Sequence, residues 1–197
     1  MTGRGGAGAD GGAGIAGEAG VDPAAGAGGG NVHGGRLRRS AGLLPYRFDG
    51  DDPSNDLLVF IAHMGGPLWA RRDDGGWSIS KGEYDVATET PRQVARREFR
   101  EEIGVEAPGE PWLELGDVRM RGGKVVTTFA SRAPASLAYV ESNLFEMEWP
   151  RGSGRNGRFP EIDRAAWFEL DVARRKLVSG QVPFLDRLAA AMRSSPA

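Results

Sequence analysis

The sequence predicts one mixed α/β domain, with at least six short strands and about three helices, behind a Gly/Ala-rich leader. Three observations predict it. Short apolar runs recur between clusters of Gly, Pro, Asp and Asn, the pattern of strands and turns. Residues 90–104 carry both a helix start and a helix stop. A stripe of apolar residues at helical spacing closes the chain. At 197 residues and with no internal repeat, one domain is the natural reading.

Residues 1–36 are mostly Gly and Ala; apart from Met1, only Ile15, Val21 and Val32 are sizeable apolar residues. Such a segment buries too little surface to offset its ordering entropy, so a disordered tail is expected there. Residues 37–194 should form the domain. "SAGLLPYRF" and "NDLLVFIAH" read as strands separated by the turn-rich "DGDDPSN". "LWARRDDGGWSIS" reads as two short extended pieces around an Asp-Gly-Gly turn. "WLELGDVRMR" and "KVVTTFASR" read as a hairpin turning at Gly122 and Gly123. "FEMEW" and "AAWFEL" are further strands, and Pro150 to Pro160 reads as a loop rich in Gly, Arg and Pro. "DVARRKLVSG" and "PFLDRLAAAMRSS" read as helices; Phe184, Leu185, Leu188, Ala189 and Met192 form the stripe that packs on the sheet.

Composition excludes several function classes. A net charge of −2 gives no global pull toward nucleic acid or an anionic membrane. Without cysteine there is neither disulfide nor thiolate chemistry. No apolar run reaches the length of a membrane span, and the N-terminus lacks the apolar core of a signal peptide. The expectation is a soluble cytoplasmic protein with no nucleic-acid or membrane partner; oligomeric state is left open.

The stretch "TPRQVARREFREEIG" carries the chemistry. Thr90 is a good N-cap, Pro91 suits the first helical position, and Gln93 completes a capping-box pattern. Gly104 supplies the stop, so the helix should span about 91–103. At about 100° per residue, Ala95, Phe99 and Ile103 share the buried stripe. Arg96, Arg97 and Arg100 share a second arc, and Glu98, Glu101 and Glu102 a third that borders the buried one. Like charges at i and i+4 repel on a helix. Two arrangements settle the repulsion: a solvated face laced by Glu–Arg pairs, or a hard divalent cation that takes carboxylate oxygens.

The order Glu89, seven residues, Arg97-Glu98-Phe99-x-Glu101-Glu102-x-Gly104-Val105 resembles the second half of the Nudix hydrolase signature, Gly-x5-Glu-x7-Arg-Glu-apolar-x-Glu-Glu-x-Gly-apolar. The first half departs from it, since six residues separate Gly82 from Glu89 where the pattern has five. The resemblance spans about residues 39–188, through "GGPLWARRDDGGWSISKGEYD", "NLFEMEWPRGSG" and "FPEIDRAAWFEL", and is similar to bacterial Nudix proteins described as predicted NTP pyrophosphohydrolases. "WSISKG" is similar to the Trp-x-x-Pro-Lys-Gly of diadenosine-polyphosphate hydrolases, with Ser80 where proline is usual.

The resemblance implies a Nudix-type α/β/α sandwich with a mixed β-sheet. It implies hydrolysis of a phosphoanhydride in a small-molecule nucleotide, with Mg2+ (or Mn2+ in its place) as cofactor. Glu98, Glu101 and Glu102 would be the catalytic and metal-binding carboxylates, and the Gly82 carbonyl a further ligand. The general base is one of these glutamates or an acid elsewhere. Arg97 would pair with Glu89 or Glu101 and fix the preceding loop, as a structural pair. Lys81 is a candidate phosphate contact, set against an ordinary solvated lysine. Trp77 and Tyr84 are candidates for stacking on a base, with burial the stronger reading for Trp77. Glu146, Glu148, Glu161 and Asp163 are possible extra ligands, each more plainly a solvated strand or loop end. "PRGSGRNGR" is a basic lip or a plain loop. His33 and His63 receive no role. Dinucleoside polyphosphates are the best single substrate; ADP-ribose, a sugar nucleotide or an NTP are rivals. A catalytically silent nucleotide sensor is the rival outside enzymes.

Overall fold

The computed structural model describes residues 37–50 and 56–194; the tail expected at 1–36 lies outside the described residues. The first two runs form long strands, β1 (Arg39–Phe48) and β2 (Leu57–Met64). β3 (Trp77–Ser78) and β4 (Ser80–Tyr84) follow, then helix α1 (Pro91–Ile103). The expected hairpin is β5 (Leu113–Arg119) and β6 (Val125–Arg132), with Gly123 at φ 82° in its turn. β7 (Leu144–Glu148), β8 (Asn156–Pro160) and β9 (Ile162–Glu169) precede α2 (Leu170–Lys176), a 3-10 turn at Ser179–Gln181, and α3 (Val182–Ser194).

Seven strands make one mixed sheet, ordered β3-β2-β1-β6-β5, with β4 on β1 and β9 on β2. The β1–β6 pairing is parallel, running from Arg39 beside Val125 to Tyr46 beside Arg132, and the other pairings are antiparallel. Because side chains alternate across a strand, both faces of β1 and β2 are buried. Leu44, Leu57, Val59 and Ile61 join Phe184, Leu185 and Leu188 of α3 in one core. Ala41, Leu43, Phe60 and Ala62 join Val94, Ala95, Phe99 and Ile103 of α1 in the other. The result is a sheet between helical layers. No helix among the described residues is long and apolar enough to cross a membrane.

Three local readings change. Residues 67–71 form a turn rather than an extended piece: Gly66 takes φ 80°, and its carbonyl accepts from the amides of Trp69 (3.2 Å) and Ala70 (3.1 Å). The Pro150–Pro160 loop contains β8, which pairs with β7 in a separate two-stranded sheet. The loop expected before α1 is not loop throughout, because β4 continues to Tyr84 along β1.

Candidate active site

Helix α1 forms where its local signals place it. Thr90 accepts from the Gln93 amide, the reciprocal capping-box bond is present, and Gly104 closes the helix at φ 80°. Its buried face is more polar than the apolar stripe alone requires. Glu98 is 9% exposed and Glu102 8%. Both carboxyls meet the backbone of β4. The Lys81 amide donates to Glu102 Oε2 at 3.0 Å. Gly82 lies so close to Glu98 that a Cβ there would fall 1.9–2.1 Å from the carboxyl atoms. Glycine is needed here for the close approach of strand to helix.

One guanidinium ties the preceding segment to this helix. Arg97 donates to both oxygens of Glu89, at 3.0 and 3.1 Å, the two-pronged geometry that suits arginine. Its Nη1 also donates to Glu98 Oε1 at 2.5 Å and Glu101 Oε2 at 3.1 Å. Led by the Glu89 bonds, these contacts hold Arg97 yet more firmly protonated than usual. A tight turn precedes Glu89. The Asp85 carbonyl accepts from the amides of Thr88 (2.9 Å) and Glu89 (3.1 Å), and its side chain accepts from Ala87 (2.9 Å). Gly82 and Glu89 therefore both reach α1 despite the altered spacing.

These groups wall a cleft of about 220 Å3 that includes Lys81, Gly82, Glu98, Glu101 and Glu102. Lys81 is 7% exposed, which rules out a plainly solvated lysine. Of the four other candidate acids, only Glu161 lines the cleft. Glu146 faces Arg158, Glu148 accepts from the Gly154 amide, and Asp163 meets buried His63 at 2.8 Å. Trp77 is buried and packs edge-on against Phe168. Tyr84 does not line the cleft; it packs against the core beneath α1. His63, given no role from sequence, is fully buried, with its Nε2 donating to the Arg72 carbonyl at 2.8 Å.

The electrostatics suit a cation. Burial pushes Glu102 up to about 8, opposed by the nearby Lys81 charge. Burial also raises Glu98, against the pull of Arg97, and Glu161, which Glu101 raises further. Among the described residues no three acidic or histidine side chains converge as a ready cage. Mg2+ does not need one: it keeps several waters and takes one or two carboxylates together with substrate phosphates. An all-oxygen donor set in which burial disfavours the bare anions of Glu98 and Glu102 fits that ion.

Sequence reasoning gave no role to six further cleft residues: Met64, Ser78, Glu83, Asn143, Phe145 and Ile162. Asn143 and Phe145 lie far along the chain from α1; both fall in "NLFEMEWPRGSG", but nothing in that stretch marks them as cleft residues. The Asn143 amide donates to the Glu101 carbonyl at 3.0 Å, which is what brings this segment to the helix.

Comparison with known proteins agrees with this architecture. The chain is similar in fold to a Caenorhabditis elegans Ap4A hydrolase (TM-score 0.55, 17% identity, 79% of this chain and 99% of that one). It is also similar to the Mycobacterium smegmatis Nudix hydrolase RenU (0.51, 23%, 81% and 89%). A third likeness is to the NUDIX domain of Shewanella oneidensis NrtR, solved with ADP ribose (0.50, 14%, 80% and 89%). A search of curated proteins gives no match. A profile of the NUDIX domain matches residues 36–188, most of the chain, and with the three helix glutamates in place the chain belongs to the Nudix hydrolase family.

Proposed function

We propose that this chain is a Mg2+-dependent hydrolase of phosphoanhydride bonds in nucleoside polyphosphates, with dinucleoside polyphosphates such as diadenosine tetraphosphate as the leading substrate. One observation carries the proposal: two nearly buried carboxyls of α1, Glu98 and Glu102, face the backbone of β4 in a cleft that also holds Lys81 and Glu161. Glu98, Glu101 and Glu102, with the Gly82 carbonyl, would hold the ion. When bound, Mg2+ would withdraw charge from the phosphates and acidify the attacking water. Lys81 supplies a positive charge to the phosphate chain. The general base is drawn from Glu98, Glu101, Glu102 or Glu161, carboxyls within the cleft. Glu89 and Arg97 act by position, holding the segment before α1 against the helix. Tyr84, outside this cleft, would touch only a far end of a long substrate.

Support for the dinucleoside class is the likeness of "WSISKG" to the Trp-x-x-Pro-Lys-Gly motif. A second reading, nucleotide binding without turnover, draws on Arg97 Nη1, which engages Glu98 and Glu101 at once. A cytoplasmic location suits a nucleotide substrate. The test is product release from diadenosine tetraphosphate, NTPs and ADP-ribose, with Mg2+, with Mn2+ and with chelator, beside Glu101→Gln and Glu102→Gln. Metal-dependent release that collapses in both variants is expected. Nucleotide binding with no turnover on any substrate would favour the silent reading instead.

A further inference from the structure

The cleft has two unlike walls. One is the charged wall of α1 and β4. The other is apolar and includes Met64, Phe145 and Ile162. Hydrolysis of a phosphoanhydride has no use for an apolar wall, but a nucleotide has an aromatic ring to place.

Phe145 is the aromatic member of that wall. It is only half-buried although it sits on a strand with a ring partner, Phe159, 6.1 Å away. Its outer edge presses on Gly66: a Cβ there would meet Phe145 Cζ at 2.8 Å. Gly66 also holds φ 80°, so both the backbone and the ring demand glycine.

The two walls are fixed to each other by successive backbone bonds. The Asn143 amide donates to Glu101 O (3.0 Å), the Glu161 amide to Asn143 O (2.9 Å), and the Gly65 amide to Glu161 O (2.8 Å). This chain of bonds runs from the acidic helix to Gly65, the residue before the glycine that meets Phe145. It leaves the Asn143 side chain exposed in the cleft with its backbone pinned on both sides. An amide offers one acceptor and two donors, which matches the mixed edge of a base.

We infer that Phe145 stacks on the nucleobase and that Asn143 reads its edge, so that these two residues set base preference; this rests on the nucleotide reading above. Stacking on an aromatic is sequence-tolerant and strong, and the neighbouring amide supplies discrimination.

The test is calorimetric binding of ADP, GDP and pyrophosphate in Mg2+ to the full chain and to Phe145→Ala, Phe145→Tyr and Asn143→Ala, each checked for an unchanged melting profile. Phe145→Ala should weaken ADP roughly 5- to 100-fold and leave pyrophosphate within about twofold, and Phe145→Tyr should restore ADP. Asn143→Ala should shrink the difference between ADP and GDP. Equal loss of ADP and pyrophosphate in Phe145→Ala, or no loss of either, overturns the stacking role. An ADP-to-GDP ratio unchanged in Asn143→Ala overturns the reading of the base edge. A wild-type chain that binds pyrophosphate but gains nothing from the base overturns this inference alone. One that binds none of the three overturns the nucleotide reading as well.

Discussion

Two thirteen-residue helices clasp the same sheet from opposite faces, and they follow different rules. Helix α3 buries Phe184, Leu185, Leu188 and Ala189, all apolar. Helix α1 buries Val94, Ala95, Phe99 and Ile103, but also Glu98 and Glu102. A buried carboxyl works against folding, because its charged form loses water that the interior replaces only in part. Helix α3 contributes stability alone. Helix α1 gives up some of it to keep charge beside a strand backbone, and that exchange marks the face where chemistry belongs.

The contrast can be broken from either side. The largest expected effect is on the apolar helix: Phe184→Ala should cost about 3–5 kcal/mol in denaturant unfolding, yet leave turnover per folded molecule unchanged. On the acidic helix, Glu102→Gln should reverse that pattern. Turnover should fall about a hundredfold or more, beyond the 10- to 100-fold typical of an outer metal partner, while the fold survives. Gly82→Ala should damage both properties. Its new methyl group collides with the Glu98 carboxyl, so roughly 1–3 kcal/mol of stability should go together with Mg2+ response, read by melting with and without the ion. The smallest effect is Thr90→Ala, which removes the N-cap: about 1 kcal/mol of stability, with activity intact.

Proton linkage sharpens the same comparison. Glu102 holds its proton to about pH 8 in the folded chain, whereas an unfolded glutamate releases it near the ordinary value of 4.5. Between those values the folded state binds more protons, so stability of the metal-free protein should fall as pH rises and level off above about 8. Melting in chelator from pH 5 to 9 should show that slope. Glu102→Gln should flatten it, and Mg2+ should stabilise most at the alkaline end. An equally steep slope in the variant would assign the effect to another group.

Local signals made α1 readable in full. Cap, first-position proline, capping box and terminal glycine all act within a few residues of the helix they bound. The chain's apolar runs likewise marked most of the strands. What escaped is long-range. Strand β8 hides in a Gly- and Arg-rich stretch because its pairing with β7, rather than its own composition, makes it a strand. Trp69 and Ala70 look extended in sequence, but Gly66 turns the chain under them. Glu161 reads as a loop-end acid until its amide meets Asn143, and His63 finds its partners at Arg72 and Asp163. The family signature contains the helix carboxylates; it is silent on the apolar wall, whose Met64, Phe145 and Ile162 come from three separate strands, β2, β7 and β9.

The parallel pairing at the centre of the sheet has a consequence for how the chain assembles. β1 lies between β2 and β4 on one edge and β6 on the other, with Arg39 beside Val125. β2 in turn waits for β9, Leu58 lying opposite Glu169. The β1–β6 and β2–β9 pairings each close a long loop, whose entropy must be lost before the contact forms, so folding should be slow for a domain of this size. During synthesis, the first two strands emerge with open edges and remain so until most of the chain has followed. Their interval of exposure, and not the finished protein, is when this sequence is most open to aggregation.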